Sequence, residues 1–279
     1  MWGVLIGWLA GCSQLPLDSR ERPDVLLSPL GFQSLEAEPT LKSWLRTHDA
    51  SVRPAESMAV TAPPRRLRVY IEGDGAAWWS HRFPPADPTP TSSVALRLAA
   101  SDPHVDVAYL ARPCQYLSAP RRAGCPHEWW TSARYGPEVM AQTQRLLDAL
   151  VQRSGVHGLE LIGHSGGGTV AVLAAAERHD VTCLVTLAAP LDIHAWTAFH
   201  QVARLHLSRN PATLPVGQPS APAVHMFGER DTVVPVSTLG RYANKLLPQQ
   251  IVVMPGWGHT DGWQWRTQWQ SLVGCLGDS

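Results

Sequence analysis

Five residues, Gly163-His164-Ser165-Gly166-Gly167, constrain this chain more than any other stretch. A strand-like run, Leu159 to Ile162, precedes them, and the helix-forming segment Thr169 to Glu177 (TVAVLAAAE) follows. A strand, a sharp turn and a helix in that order leave the central serine at the tip of the turn in a strained backbone conformation. Strand and helix then approach so closely that the flanking positions must be small, and glycines at 163, 166, 167 and 168 meet that demand. The plainer reading, a glycine-rich turn with a capping serine, is outweighed by the strand expected before it and the helix expected after it.

Outside the first 64 residues, strand-like and helix-like segments alternate. Leu67 to Glu72 (LRVYIE), a helix near Ser93 to Ala100, Val105 to Ala111 (VDVAYLA) and a helix from Pro137 to about Gln152 precede the Leu159 run. Cys183 to Leu187, Val224 to Phe227 and Ile251 to Met254 follow it as further short apolar runs. Such runs between helices predict an α/β fold, a mostly parallel sheet with helices on both faces. With 279 residues, of which 44% are hydrophobic, one large domain over 65–279 is the simplest expectation. Two short strands are expected before it, near Phe32 to Ala37 and Leu41 to Arg46, in an otherwise Pro-rich stretch. The interval 191–222 carries Trp196, Phe199 and several prolines and interrupts the alternation. It reads equally as a lid over one end of the sheet or as a plain connection.

A serine hydroxyl is protonated at neutral pH and becomes a nucleophile only beside a base, itself oriented by a carboxylate. The glycine-flanked serine between strand and helix resembles the nucleophile elbow of the α/β-hydrolase superfamily, and the resemblance spans Leu67 to about Trp265. It implies hydrolysis of a small acyl ester, or thioester, through an acyl-enzyme, with no cofactor and no metal. In that family the acid follows the nucleophile and the histidine comes last, which assigns Asp231, in Phe227-Gly228-Glu229-Arg230-Asp231, as acid and His259, in Pro255-Gly256-Trp257-Gly258-His259, as base. Asp192 and Glu229 are rival acids, and Asp261 is expected to orient the histidine loop. The resemblance also implies two backbone donors for the oxyanion: Gly166 N–H, and Asp74 N–H from Glu72-Gly73-Asp74-Gly75. Here the chain departs from the family, since Glu72 replaces the usual histidine and Asp74 brings a carboxylate close to the developing charge. A fold kept without catalysis, binding a partner in the cell envelope, is the competing expectation.

The N-terminus carries a separate signal. Met1 to Gly11 is apolar but too short to cross a bilayer core of about 30 Å, and reads as a signal peptide. Leu9-Ala10-Gly11-Cys12 resembles the bacterial lipobox, which implies lipidation of Cys12, a lipid-anchored N-terminal stretch over 12–64 and, from Ser13 after the cysteine, the periplasmic face of the outer membrane. No Lys or Arg precedes the apolar run. An exported chain folds where disulfides persist, and Cys114, Cys125, Cys183 and Cys275 permit three pairings. Cys114 with Cys125 closes a short loop and leaves Cys183 for Cys275. With 23 basic and 23 acidic residues, nothing draws the chain to nucleic acid. The P-loop lysine, the dinucleotide fingerprint and H-E-x-x-H are all missing. Several of the 12 tryptophans, among them Trp78, Trp79, Trp129, Trp130, Trp196, Trp257 and Trp263, lie beside the proposed catalytic loops, where they serve either an acyl pocket or ordinary packing.

Overall fold

In the computed structural model, which describes residues 21–47, 64–77, 84–264 and 273–276, the apolar runs become strands. They are β1 (Gln33–Leu35), β2 (Ser43–Arg46), β3 (Arg66–Ile71), β4 (Val107–Leu110), β5 (Gly158–His164), β6 (Val181–Leu187), β7 (Ala223–Gly228) and β8 (Ile251–Met254). They build one sheet in the order β1-β2-β4-β3-β5-β6-β7-β8. The pairs β1 with β2 and β2 with β4 run antiparallel; every other pair is parallel. The sheet therefore begins at Gln33, well before the family resemblance does: its first two strands form an antiparallel edge, too short to carry the pattern of a buried strand.

The helices are α1 (Pro23–Leu27), α2 (Val94–Ser101), α3 (Ala119–Arg122), α4 (Pro137–Ser154), α5 (Gly166–Ala175) and α6 (Ile193–Phe199). Side chains alternate across the strands. Leu67, Val69 and Ile71 of β3 and Leu159 and Leu161 of β5 pack with α4 and α5. Tyr70 and Ile162 point to the opposite layer, which contains α2, Trp263, Val273 and Leu276. In α4, Pro137 at the first turn and Gly155 in the left-handed conformation just past the end set the limits, and Val139, Met140, Thr143, Leu146, Leu147 and Leu150 form one buried stripe. All ten residues of α5 are buried, since it runs directly behind the central strands.

A buried ionic cluster interrupts this core. Arg68 of β3 donates to Glu160 of β5 at 2.9 Å and to Asp102, after α2, at 3.0 Å, with all three side chains fully buried. Tyr70 donates to the same Asp102 at 2.7 Å. Two disulfides, Cys114–Cys125 and Cys183–Cys275, follow the shorter-loop pairing. The second ties β6 to the C-terminal residues. Cys12 and the proposed signal peptide, together with Trp78 and Trp79, lie outside the described residues. No helix among the described residues is long and apolar enough to cross a membrane.

Candidate active site

Ser165 directly follows β5 and caps α5 with φ 52° and ψ −126°, a conformation costly for a residue with a side chain. Neighbouring strand β6 holds it there, because Ser165 N–H donates to the Leu187 carbonyl at 2.8 Å. The tightness of the turn explains Gly163: a Cβ at that position would run into the Gly167 backbone. Gly166, the first helical residue, has an N–H without an intrahelical acceptor, as at every helix start.

The histidine loop after β8 brings His259 to the serine. Its Nε2 lies 3.1 Å from Ser165 Oγ and its Nδ1 lies 2.9 Å from Asp231 Oδ2. Asp231, in the turn after β7, accepts on its other oxygen from Val233 N–H and Val234 N–H, each at 2.8 Å. Burial alone would raise the Asp231 pKa, but the hydrogen bond and charge of His259, with the two amides, outweigh it and hold the carboxyl below its usual range. The Asp231 side chain is fully buried while 17% of the His259 side chain remains exposed, so the carboxylate is shielded and the imidazole can be reached.

The rival acids have other work. Asp192 caps α6, accepting from His194 N–H and Ala195 N–H, and also takes Asn210 Nδ2 and Arg241 N–H. Glu229 accepts from Gly256 N–H at 2.8 Å and steadies the histidine loop from its exposed side. Asp261 packs against the α-carbon of Gly258, next to His259. The Leu191 to Pro222 interval opens with α6 and leans on the acid turn, since Trp196 Nε1 and His200 Nε2 both donate to the Val233 carbonyl, at 2.8 and 2.7 Å.

Sequence reasoning left out His164, the variable residue of the elbow. Its Nε2 donates to the His259 carbonyl at 2.8 Å, and Trp263 Nε1 donates to the same oxygen at 3.0 Å. Burial, reinforced by the charge of His259, pulls the His164 pKa down to about 3, so the ring is neutral with its proton on the donating nitrogen. A histidine in the middle of G-x-S-x-G was the only available signal, and that position tolerates many residues.

The loop after β3 passes beside the elbow: a Cβ on Gly73 would lie 3.4 Å from Ser165 Cβ. Glu72 accepts from Gly73 N–H and from Tyr109 OH, both at 2.8 Å, and from the Ser93 hydroxyl. Burial raises its pKa against the pull of these donors. Its carboxyl therefore ties down the base of the loop. Among the described residues, the Asp74 N–H donates to no acceptor. Its side chain turns toward Arg112, Arg134 and Tyr135. No group of three or more His, Cys, Asp or Glu among the described residues could hold a metal ion.

Ser165, Asp231 and His259 stand at the carboxyl ends of β5, β7 and β8, the edge where open α/β sheets bind ligands. Solved structures that share this fold include the following two. One is puromycin hydrolase, 16% identical with a TM-score of 0.53 over 82% of this chain, which spans only 35% of that longer protein. The other is an α/β serine hydrolase without a lid from Xanthomonas campestris, 16% identical with a TM-score of 0.52, covering 88% of this chain and 95% of that one. No protein-family model matches the chain, and no curated protein sequence matches it significantly. At these identities the likeness establishes the α/β-hydrolase fold, and the chemistry has to be argued from the site.

Proposed function

We propose that this protein is a serine hydrolase that cleaves carboxylic esters or thioesters through an acyl-enzyme on Ser165. The observation that carries the reading is the unbroken relay from Ser165 Oγ through His259 to Asp231. Asp231 keeps the His259 proton on Nδ1, which leaves Nε2 as the acceptor facing the serine. In the first step the Ser165 proton passes to Nε2 as Oγ bonds to the acyl carbon. The former carbonyl oxygen becomes an oxyanion, received by Gly166 N–H and Asp74 N–H. His259 then returns the proton to the leaving alcohol or thiol, and water repeats the sequence to release the acid. Both fold neighbours are hydrolases by name, in line with this reading.

Labelling with a fluorophosphonate probe tests it. Wild type is expected to be modified and Ser165→Ala is not. Folded wild type that resists the probe would leave the competing reading, a silent fold that binds an envelope partner. A panel of acyl esters of graded chain length, with a thioester and a peptide, then ranks the substrates. We also propose that Cys12 receives lipid and anchors the chain in a bacterial envelope, on the periplasmic side of the outer membrane. Labelled palmitate is expected in wild type expressed in a bacterial host and not in Cys12→Ala; equal incorporation would remove the anchor.

A further inference from the structure

Between the loop after β3 and the start of α4 lies a buried charge cluster to which the ester chemistry above gives no task. Asp74 Oδ1 accepts from Arg112 Nη1 at 2.8 Å, and Oδ2 accepts from Arg134 Nη1 at 2.9 Å and from Tyr135 OH at 2.7 Å. Arg112 also donates to the Arg134 carbonyl and lies over the Tyr135 ring at 5.4 Å. The guanidinium side chains are only 5% and 4% exposed. Burial would raise the Asp74 pKa, but Arg134, Arg112 and Tyr135 together hold it below the carboxylate range. Burial would likewise lower that of Arg134, and Asp74 holds it up. One carboxylate with two guanidiniums leaves a net charge of +1 out of water.

The position of this charge matters. Asp74 Oδ1 lies so close to Gly166 that a Cβ on residue 166 would collide with it. A carboxylate alone there would oppose the negative charge that develops beside Gly166 N–H. The two guanidiniums offset that carboxylate, in a desolvated setting where electrostatic terms act strongly. The same elements hold the loop backbone, since Gln115 Nε2 donates to the Gly73 carbonyl and Gln115 Oε1 accepts from Arg112 N–H, each at 3.0 Å. Arg112 and Gln115 flank Cys114, whose bridge to Cys125 closes their loop. Filling the space needs no ions, because apolar side chains do so at least as well.

We propose that Asp74, Arg112, Arg134 and Tyr135 are positioning residues of the oxyanion hole, fixing the Asp74 N–H beside that of Gly166 and offsetting the carboxylate charge that Asp74 brings next to the oxyanion. The proposal rests on the serine-hydrolase reading. It is tested by titrating active sites with the fluorophosphonate and measuring kcat per titrated site, KM, and the affinity for a trifluoromethyl ketone, whose serine adduct carries the oxyanion. In Arg134→Met, kcat per site is expected to fall about 10- to 100-fold, less than the roughly 100- to 1,000-fold cost of removing an oxyanion donor outright, because the donor is displaced and not deleted. KM should stay within about twofold, ketone affinity should fall in step with kcat, and Arg134→Lys should recover most of the loss. A purely structural role would lower the melting temperature and the titrated fraction while leaving kcat per site alone, and that result overturns the proposal. Should Arg134→Met not fold, Tyr135→Phe, which deletes one hydrogen bond to Asp74, is expected to lower kcat and ketone affinity together by a smaller factor. Unchanged values in that variant overturn the proposal equally. Folded wild type that the probe does not label would remove the hydrolase reading itself, a different result from labelled variants with wild-type rates.

Discussion

His164 fills the variable position of the elbow, yet its ring grips the backbone of His259, the proposed base. With Trp263 it supplies two donors to the His259 carbonyl. Removing one of the two loosens the loop without releasing it. A neutral hydrogen bond contributes about 1 kcal/mol net, so His164→Phe is expected to lower kcat about 5- to 10-fold at unchanged KM. His164→Gln, whose amide nitrogen reaches about as far as Nε2, should stay within about twofold of wild type; steady-state kinetics on an activated ester check both. The two aspartates should separate in the same assay. Asp231→Asn is expected to reduce kcat by about 10⁴, because the wrong tautomer of His259 then faces the serine. Asp192→Ala should keep its rate per titrated site and lose about 1–2 kcal/mol of stability with its cap. Chain order together with its place in the turn after the Val224 to Phe227 strand favoured Asp231, and the bonds of Asp192 to the start of α6 now explain what the rival does. The role of His164 was hidden because its partner lies 95 residues away and is a carbonyl, which any residue could offer.

The legible elements were those whose local pattern answers to burial. Strands β5, β6 and β7 are apolar runs closed by Gly or Pro, and α4 shows its stripe, its first-turn proline and its terminal glycine. What joins elements was hidden, because it depends on register. Arg68 meets Glu160 through the pairing of β3 with β5, and Asp74, Arg112 and Arg134 come from three separate connections. The Cys183–Cys275 bridge is a tie of this kind, closing 92 residues of chain between β6 and the C-terminal end. Closing a loop of that length removes about 4–5 kcal/mol of chain entropy from the unfolded state, against about 3 kcal/mol for the 11-residue span of Cys114–Cys125. Cys275→Ala is therefore expected to lose more stability in urea than Cys125→Ala. Equal losses would mean that the C-terminal residues are held by packing rather than by the bridge.

At the scale of the whole molecule, the core encloses histidines that it keeps neutral. His225 of β7 is fully buried, shares a hydrogen with Thr186 Oγ1 at 2.9 Å and packs edge-on to Tyr242. Burial lowers its pKa from 6.5 to about 3, as it does for His164. In the unfolded chain both rings take up protons below about pH 6.5, whereas in the folded protein they do so only near pH 3. The stability each contributes is complete above pH 6.5 and is lost as the pH falls toward 3, by about 1.4 kcal/mol per pH unit. Between pH 7.5 and 5.0 this amounts to about 2 kcal/mol per histidine. The depressed carboxyls of Asp74, Asp192 and Asp231 act in the same direction, but only from about pH 4 downward, where a free carboxyl begins to bind protons. The interval from pH 7.5 to 5.0 therefore avoids these three carboxyls, while Glu72, whose pKa burial raises, acts in the opposite direction and cancels between wild type and a histidine variant. Urea unfolding at these two pH values is expected to show wild type losing about 4 kcal/mol from the pair, and His225→Phe losing about 2 kcal/mol less than wild type. The phenylalanine leaves Thr186 without its partner, so the variant is less stable at pH 7.5; the quantity that decides is the difference between the two pH values. An equal difference in variant and wild type would show that His225 does not remain neutral in the folded core.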